Sequence, residues 1–526
     1  MSTFKQTSPR TSVEGPPHAA PGAVVKLPRQ FTLWSLLAFA IAVSSAWMAT
    51  SSLLPTHLMF GGPAAAFWIP VVSGVASMII ALGLAELSSA YPSSGGQYHY
   101  AFMIAPVKYR QMASFATAWF TIFEWLFVVC STTIYPAQLT TQLASIWFPS
   151  YTPERWHIWL VYVLLLVMGT AVVIFFHKAM PRIEVFFCWS SLLAFITFVV
   201  TLLAASHSKQ RAADVFLEWQ NASGWPDGFS FIMDVGQGMW IYVCMDAATH
   251  LAEEIYQPEI HVPRALILST ALAIFCNVVF TLAALFSVTS IDAVSSSFLP
   301  IYEVTKQAVG SDGAVLFLLI WLDFTFISTV PGALLTTGRL VWAFSRDGGL
   351  PYSPFFDHIS SEYQVPVEAT VASGIFCFFF GLIYIGSTVA FNTFTNSAIV
   401  FAFLSYSLPQ LFVFISGRDT MPQRYFNLGK TFGTFVNIFS VAWIVLYIVL
   451  FCFPLSIPTS AMGMNYVSVV FVASMIFIGG LWWGAGKRTS FVGPQIGCEV
   501  LHGVNAGTAA SDPATDALSE VATDAA

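Results

Sequence analysis

The stretch GMWIYVCMDAATHLAEE, residues 238–254, starts as an apolar, aromatic run of the kind that crosses a membrane. Asp246 then interrupts it, His250 follows one helical turn later, and Glu253 and Glu254 close it. A carboxylate in hydrocarbon costs several kcal/mol, and such residues face a bundle interior or a water-filled cavity and mark transport or proton pathways. The rest of the chain decides whether this run is a membrane span at all.

It is, on composition. Of 526 residues, 56% are hydrophobic and only 9% are charged, whereas soluble domains carry about 25% charged residues. So few charges could not cover the surface of a soluble protein of this size, so the chain reads as an integral membrane protein. The net charge of −7 says less than where the charges lie. Seven Cys are scattered without a CxxC pattern or a Cys/His cluster, and several sit inside apolar runs. They read as free thiols acting as small hydrophobes, with no metal site and no cofactor.

Apolar stretches of spanning length fall at 31–54, 66–88, 114–138, 157–177, 183–205, 229–251, 265–289, 313–338, 366–386, 391–416, 433–456 and 463–485. The fold class is therefore an all-α membrane protein of twelve spans, which puts both termini on one side. Lys and Arg choose that side. With the N-terminus cytoplasmic, sixteen of the twenty Lys and Arg lie in inside segments; only Arg155, Lys209, Arg211 and Lys306 lie outside. The sequon Asn221-Ala222-Ser223, with Asn221 as the glycosylation candidate, falls in an outside loop under this topology. Residues 1–30 and 487–526 read as disordered cytoplasmic tails around a transporter domain at 31–486. The N-tail is too polar for a secretory signal, and the first long apolar run is expected to direct insertion. No loop has room for a nucleotide-binding domain, there is no GxxxxGK[ST] motif, and no nucleic-acid partner is indicated.

Two spans look breakable. Span one contains AVSSAWMATSS, residues 42–52, whose four Ser and one Thr offer hydroxyls to freed backbone groups. Span six contains DVGQGMWIYVCMDAATH, residues 234–250, where Gly236 and Gly238 weaken the helix. The two lie five spans apart, as an inverted five-plus-five repeat demands, and discontinuous helices in matching positions are where transporters place their sites.

Three segments, AELSSAYPSSGGQYHY (85–100), MDAATHLAEEIYQPEIHVPRA (245–265) and GRLVWAFSRDGGLPYSPFF (338–356), together resemble fungal permeases of the amino acid–polyamine–organocation superfamily, nearest to the choline/GABA permease group. The resemblance spans about residues 31–486. It implies twelve helices with inverted symmetry and secondary active uptake, usually with protons, of choline, GABA or an amino acid. The chain departs from the amino acid members at Val43-Ser44-Ser45-Ala46-Trp47, where they often carry a Gly-rich break, and at Cys244-Met245, where many carry Gly-Phe.

The polar and aromatic residues then divide into roles. Ser44, Ser45, Trp47, Trp240, Tyr242 and Asp246 flank the breaks and form the substrate-binding set; aromatic faces attract ammonium groups, and a carboxylate pairs with them. Packing against neighbouring helices is the alternative for each. Glu124, alone in the apolar run FTIFEWLFVV, and Asp246 are the proton-coupling candidates; Asp323 is a similar case. Glu86, Glu253 and Arg346 are gate candidates. Glu86, Glu253 and Glu254 lie near the cytoplasmic interface, either as solvated loop charges or in contact with Arg264, Arg339 or Arg346. The expected partners are thus a small amine or amino acid, a coupling proton and membrane lipid. The expected location is the plasma membrane, with the vacuolar membrane as the alternative. A transporter-like nutrient sensor and a membrane-embedded enzyme are the rival readings. The second would need a cluster of nucleophile, base or metal ligands at membrane depth, and the sequence offers none.

Overall fold

The computed structural model describes residues 27–297, 299–460 and 464–494. Among them the chain is helical throughout, with one isolated backbone bridge between Phe31 and Ile255. Ten helices are long and apolar enough to cross a membrane. Two facts bring these to the twelve expected spans. The first helical stretch, Leu33–Ala90, has 58 residues, more than two spans of about 20 residues need. It turns back at Gly61 and Gly62, where Gly62 takes φ 65°. Span six is cut into Asp227–Gly238 and Met239–Glu254, and neither piece alone has spanning length.

Both expected breaks are present. In span one the helix Leu33–Ser44 ends at Ser45, whose φ of 40° and ψ of 38° are left-handed, and a new helix starts at Ala46. Left-handed backbone is costly for a residue with a Cβ, and local hydrogen bonds offset the cost here. The Ser45 hydroxyl donates to the Ala42 carbonyl and the Ser44 hydroxyl to that of Ile41. In span six the chain past Gly238 winds as a tight 3-10 helix of 16 residues, far beyond the usual few, and leaves helical geometry at Cys244. The break therefore lies further along than Gly236 and Gly238 suggest. Those two glycines serve close packing: a methyl group at Gly236 would lie 2.7 Å from the Tyr447 ring, and one at Gly238 2.8 Å from Ile69 and Ser73.

Three features are absent from the sequence reading. A short helix, Gln97–Ile104, follows span two. Span eight is divided at Ser328 into Asp312–Ile327 and Thr329–Arg346. Residues next to both tail boundaries also pack on the bundle. Leu27 is buried, and the Gln30 and Phe31 amides donate to the Glu254 carbonyl. At the other end Lys487 binds the Gly348 and Leu350 carbonyls, and Phe491 packs on Phe115 and Phe344. The remaining tail residues, 1–26 and 495–526, lie outside the described residues.

Candidate functional site

The bundle has two ends. One carries Arg339, Arg346, Arg418 and Arg424 and is here the basic face; the other carries the Asn221 loop and is the sequon face. A cavity of about 440 Å³ starts at the two breaks and runs toward the sequon face. Its floor is Ser44 and Ser45 of span one with Val243 and Cys244 of span six. Its walls are Ser131, Thr132, Tyr135 and Gln138 of span three, Trp240 and Gln237 of span six, Phe326 and Thr329 of span eight, and Asn392 and Asn396 of span ten. Leu455, Met464 and Asn465, between spans eleven and twelve, sit at the mouth. Tyr135 and Phe326 stand with ring centroids 4.5 Å apart, and Trp240 is half-buried. No Asp, Glu, Lys, Arg or His lines this cavity among the described residues.

The substrate-binding set splits on this geometry. Ser44, Ser45 and Trp240 line the cavity. Trp47 does not: its ring is wedged against Phe195, Phe198 and Phe280, and its indole N–H donates to Ser191 Oγ at 3.0 Å. Its helix turns that face toward spans five and seven, so packing is what it does here. Tyr242 is likewise turned away, donating to the Pro70 carbonyl at 2.9 Å beside span two.

Asp246 also lies outside the cavity lining, behind Val243 and Cys244. It is wholly buried and richly partnered. Gln97 Nε2 donates at 2.6 Å and Trp125 Nε1 at 3.3 Å; His250 Nε2 lies at 3.0 Å, and the Tyr406 hydroxyl at 2.9 Å. That same hydroxyl lies 2.6 Å from Glu124 Oε1 and touches the Val243 carbonyl. Ser405 donates to the other Glu124 oxygen at 3.1 Å. Glu124, unpaired in sequence, is therefore joined to Asp246 through Tyr406, a residue 282 positions away. Asp323 stands apart, bonded to Thr140 at 2.6 Å.

On the basic face, Glu86, Glu253 and Glu254 are not solvated. Glu253 pairs with Arg346 at 2.9 Å, and Glu254 with Arg339 at 2.6 Å, nearly all of it buried. Tyr98 donates to Asp347 at 2.8 Å. Glu86 takes Arg418 and Arg424 instead of the arginines expected from sequence, tying span two to the chain between spans ten and eleven. His99, on the helix Gln97–Ile104, is held down to about 4 by burial and then by the Arg346 charge, so it is neutral near pH 7. The cavity is therefore closed toward the basic face by a layer of buried ion pairs. On the sequon face, Asn221 donates to the Trp225 carbonyl at 2.6 Å and to Asp227 at 3.0 Å, within its loop.

Broken helices one and six around a cavity closed at one end define a secondary transporter of the inverted-repeat class. Residues 31–476 match the amino acid permease family, and the chain belongs to it. It is a multi-pass membrane transporter for a small amine or amino acid. It is 32% identical over 471 residues to a choline transporter of Saccharomyces cerevisiae, covering 88% of this chain and 83% of that one. With amino-acid permease 2 of Neurospora crassa it shares 28% over 474 residues, 89% of this chain and 86% of the relative. A solved manganese transporter of Eremococcus coleocola shares the fold at a TM-score of 0.52 and 12% identity, covering 85% of this chain and 92% of that one.

Proposed function

We propose that the chain imports choline, or a small quaternary amine close to it, in symport with a proton held between Glu124 and Asp246. One observation carries the substrate reading: the cavity at the breaks is lined by hydroxyls, amides and three aromatic rings, without a charged side chain. Aromatic faces hold a quaternary ammonium by cation–π attraction, and hydroxyls and amides suit a small alcohol. The carboxylate of an amino acid would need a cation or a row of bare amides. The cavity offers no cation, and the break in span one has serines in place of glycines. The similarity to a transporter named for choline points the same way.

Hydrogen-bond accounting supports the proton. The Tyr406 hydroxyl has one proton and faces three acceptors: Glu124, Asp246 and the Val243 carbonyl. It can donate to one only. Each of the others must bring its own proton or repel, and a carbonyl has none. The Glu124–Tyr406–Asp246 bridge therefore has a place for a bound proton, shielded from the cavity by the width of span six. The balance of Lys and Arg supports a cytoplasmic side for both termini and the basic face. The cavity then opens outward, and alternating access would break the Glu253–Arg346 and Glu254–Arg339 layer. Exposed Leu164, Val167, Phe186, Trp189 and Ile196 form part of the surface that lipid would cover. We place the protein in the plasma membrane.

The test is uptake of labelled choline into proteoliposomes, with GABA and α-amino acids as competitors. Choline uptake should saturate, rise with acid outside, and withstand an excess of amino acids. If an α-amino acid is taken up and displaces choline at equal concentration, the substrate reading is wrong.

A further inference from the structure

Glu184 has no place in the site described so far. It is wholly buried near the start of span five, Met180–Ala205. Neither of its carboxyl oxygens has a hydrogen-bond partner, and among the described residues no other buried carboxylate has both oxygens unbonded. Its surroundings are specific. A methyl group placed at Gly332 would lie 2.4 Å from Val43, 3.3 Å from Glu184 Oε1 and 3.5 Å from Phe39. The carboxyl thus points into the junction of span five with the half-helix Leu33–Ser44 and with Thr329–Arg346 of span eight.

This junction lies directly under the cavity floor. Val43 adjoins the serines of the break, and Thr329, one turn before Gly332, lines the cavity itself. An ionised carboxylate without a partner in such a setting is far costlier than its neutral acid. It becomes affordable only if water enters, and water enters only if the half-helix Leu33–Ser44 leaves.

We propose that Glu184 is a proton-binding site of the transport cycle, neutral while the half-helix Leu33–Ser44 is packed on spans five and eight, and ionised once that half-helix has moved away. This rests on the alternating-access reading above. It is a second site, separate from the Glu124–Tyr406–Asp246 bridge. Its effect is to make opening toward the basic face easier as the pH on that face rises. The Glu184→Gln variant separates it from the other titratable groups on the surrounding elements. The half-helix Leu33–Ser44 carries no titratable side chain. On span eight Arg339 and Arg346 are bound to Glu254 and Glu253, and Asp323 to Thr140. Span five contributes Cys188, one turn on, and span seven Cys276 beside it.

Cys188 supplies the readout. It is buried against Ala38 and Ala42 of the same half-helix, so a thiol reagent reaches it only when the half-helix moves. Cys452 is exposed and corrects for the reagent's own pH dependence. Peptide-resolved alkylation is measured on the full-length protein in proteoliposomes, between about pH 5.5 and about pH 8. The Cys188 rate relative to Cys452 should rise about fivefold or more with pH in the parent. It should be flat in Glu184→Gln and should rise again in Glu184→Asp. A flat ratio in the parent overturns the proposal, as does a Gln variant that follows the parent. The parent measurement stands even if a variant fails to fold. The labelling uses no substrate, so its failure is distinct from failure of the choline reading, which the uptake panel reports.

Discussion

Glu124→Gln is expected to abolish concentrative uptake driven by a pH gradient while leaving substrate exchange intact. The substitution keeps the shape of the side chain, and its amide can still bond Tyr406 and Ser405, which now hold the carboxyl at 2.6 and 3.1 Å. What it removes is the ability to load and release a proton beside Asp246. With one proton per substrate, a gradient of about one pH unit supports about tenfold accumulation. The parent should approach that ratio and the variant should reach no more than equality. Exchange of labelled for unlabelled substrate needs no net proton movement and should continue. Undiminished accumulation by the variant, in the same vesicles and gradient, would remove Glu124 from the proton path.

Arg339→Met should be among the most destabilising single changes in the chain. Arg339 and Glu254 are both almost wholly buried and bonded at 2.6 Å. Removing the cation strands a carboxylate in a dry layer, a loss of about 3–5 kcal/mol. Pairing it with Glu254→Gln removes the stranded charge and should recover most of that loss. The check is resistance to denaturant in detergent for the two single variants and the double. Additive losses would mean that the two residues are not coupled, and the closing layer on the basic face would lose its main strut. The same layer receives the Gln30 and Phe31 amides on the Glu254 carbonyl, so the double variant tests the side-chain pair without touching that strap.

The spans were legible because hydrocarbon demands long apolar runs, and so was the break in span one, where Ser44 and Ser45 carry the hydroxyls that a free helix end needs. Span six was legible in kind and misplaced in detail. Gly236 and Gly238 look like a hinge in sequence, yet in the fold their missing side chains make room for Tyr447 and for Ile69 and Ser73. Only the packed bundle distinguishes those two uses of glycine. Glu124 and Asp246 announced themselves by charge. Their common partner did not, since Tyr406 is one of 17 tyrosines in a chain full of aromatic runs. Glu86 likewise gave no hint of Arg418, 332 positions away. Trp47 and Tyr242 sit beside the breaks in sequence but on helix faces turned from the cavity. Nearness along the chain does not fix which way a side chain turns on a helix. The polar residues that do line the cavity in span ten, Asn392 and Asn396, are amides in an apolar run, a signal that packing amides share.

On the proposed function, aromatic faces in a charge-free cavity hold the substrate cation and the buried carboxylates are reserved for the proton. Equilibrium binding of labelled choline to purified Trp240→Ala and Asp246→Asn proteins tests it most directly. Trp240→Ala should weaken binding by about 2 kcal/mol, roughly 30-fold, while Asp246→Asn should leave affinity within about threefold of the parent. The reverse, a large loss with Asp246→Asn and none with Trp240→Ala, would put the ammonium on the carboxylate instead of the aromatic faces.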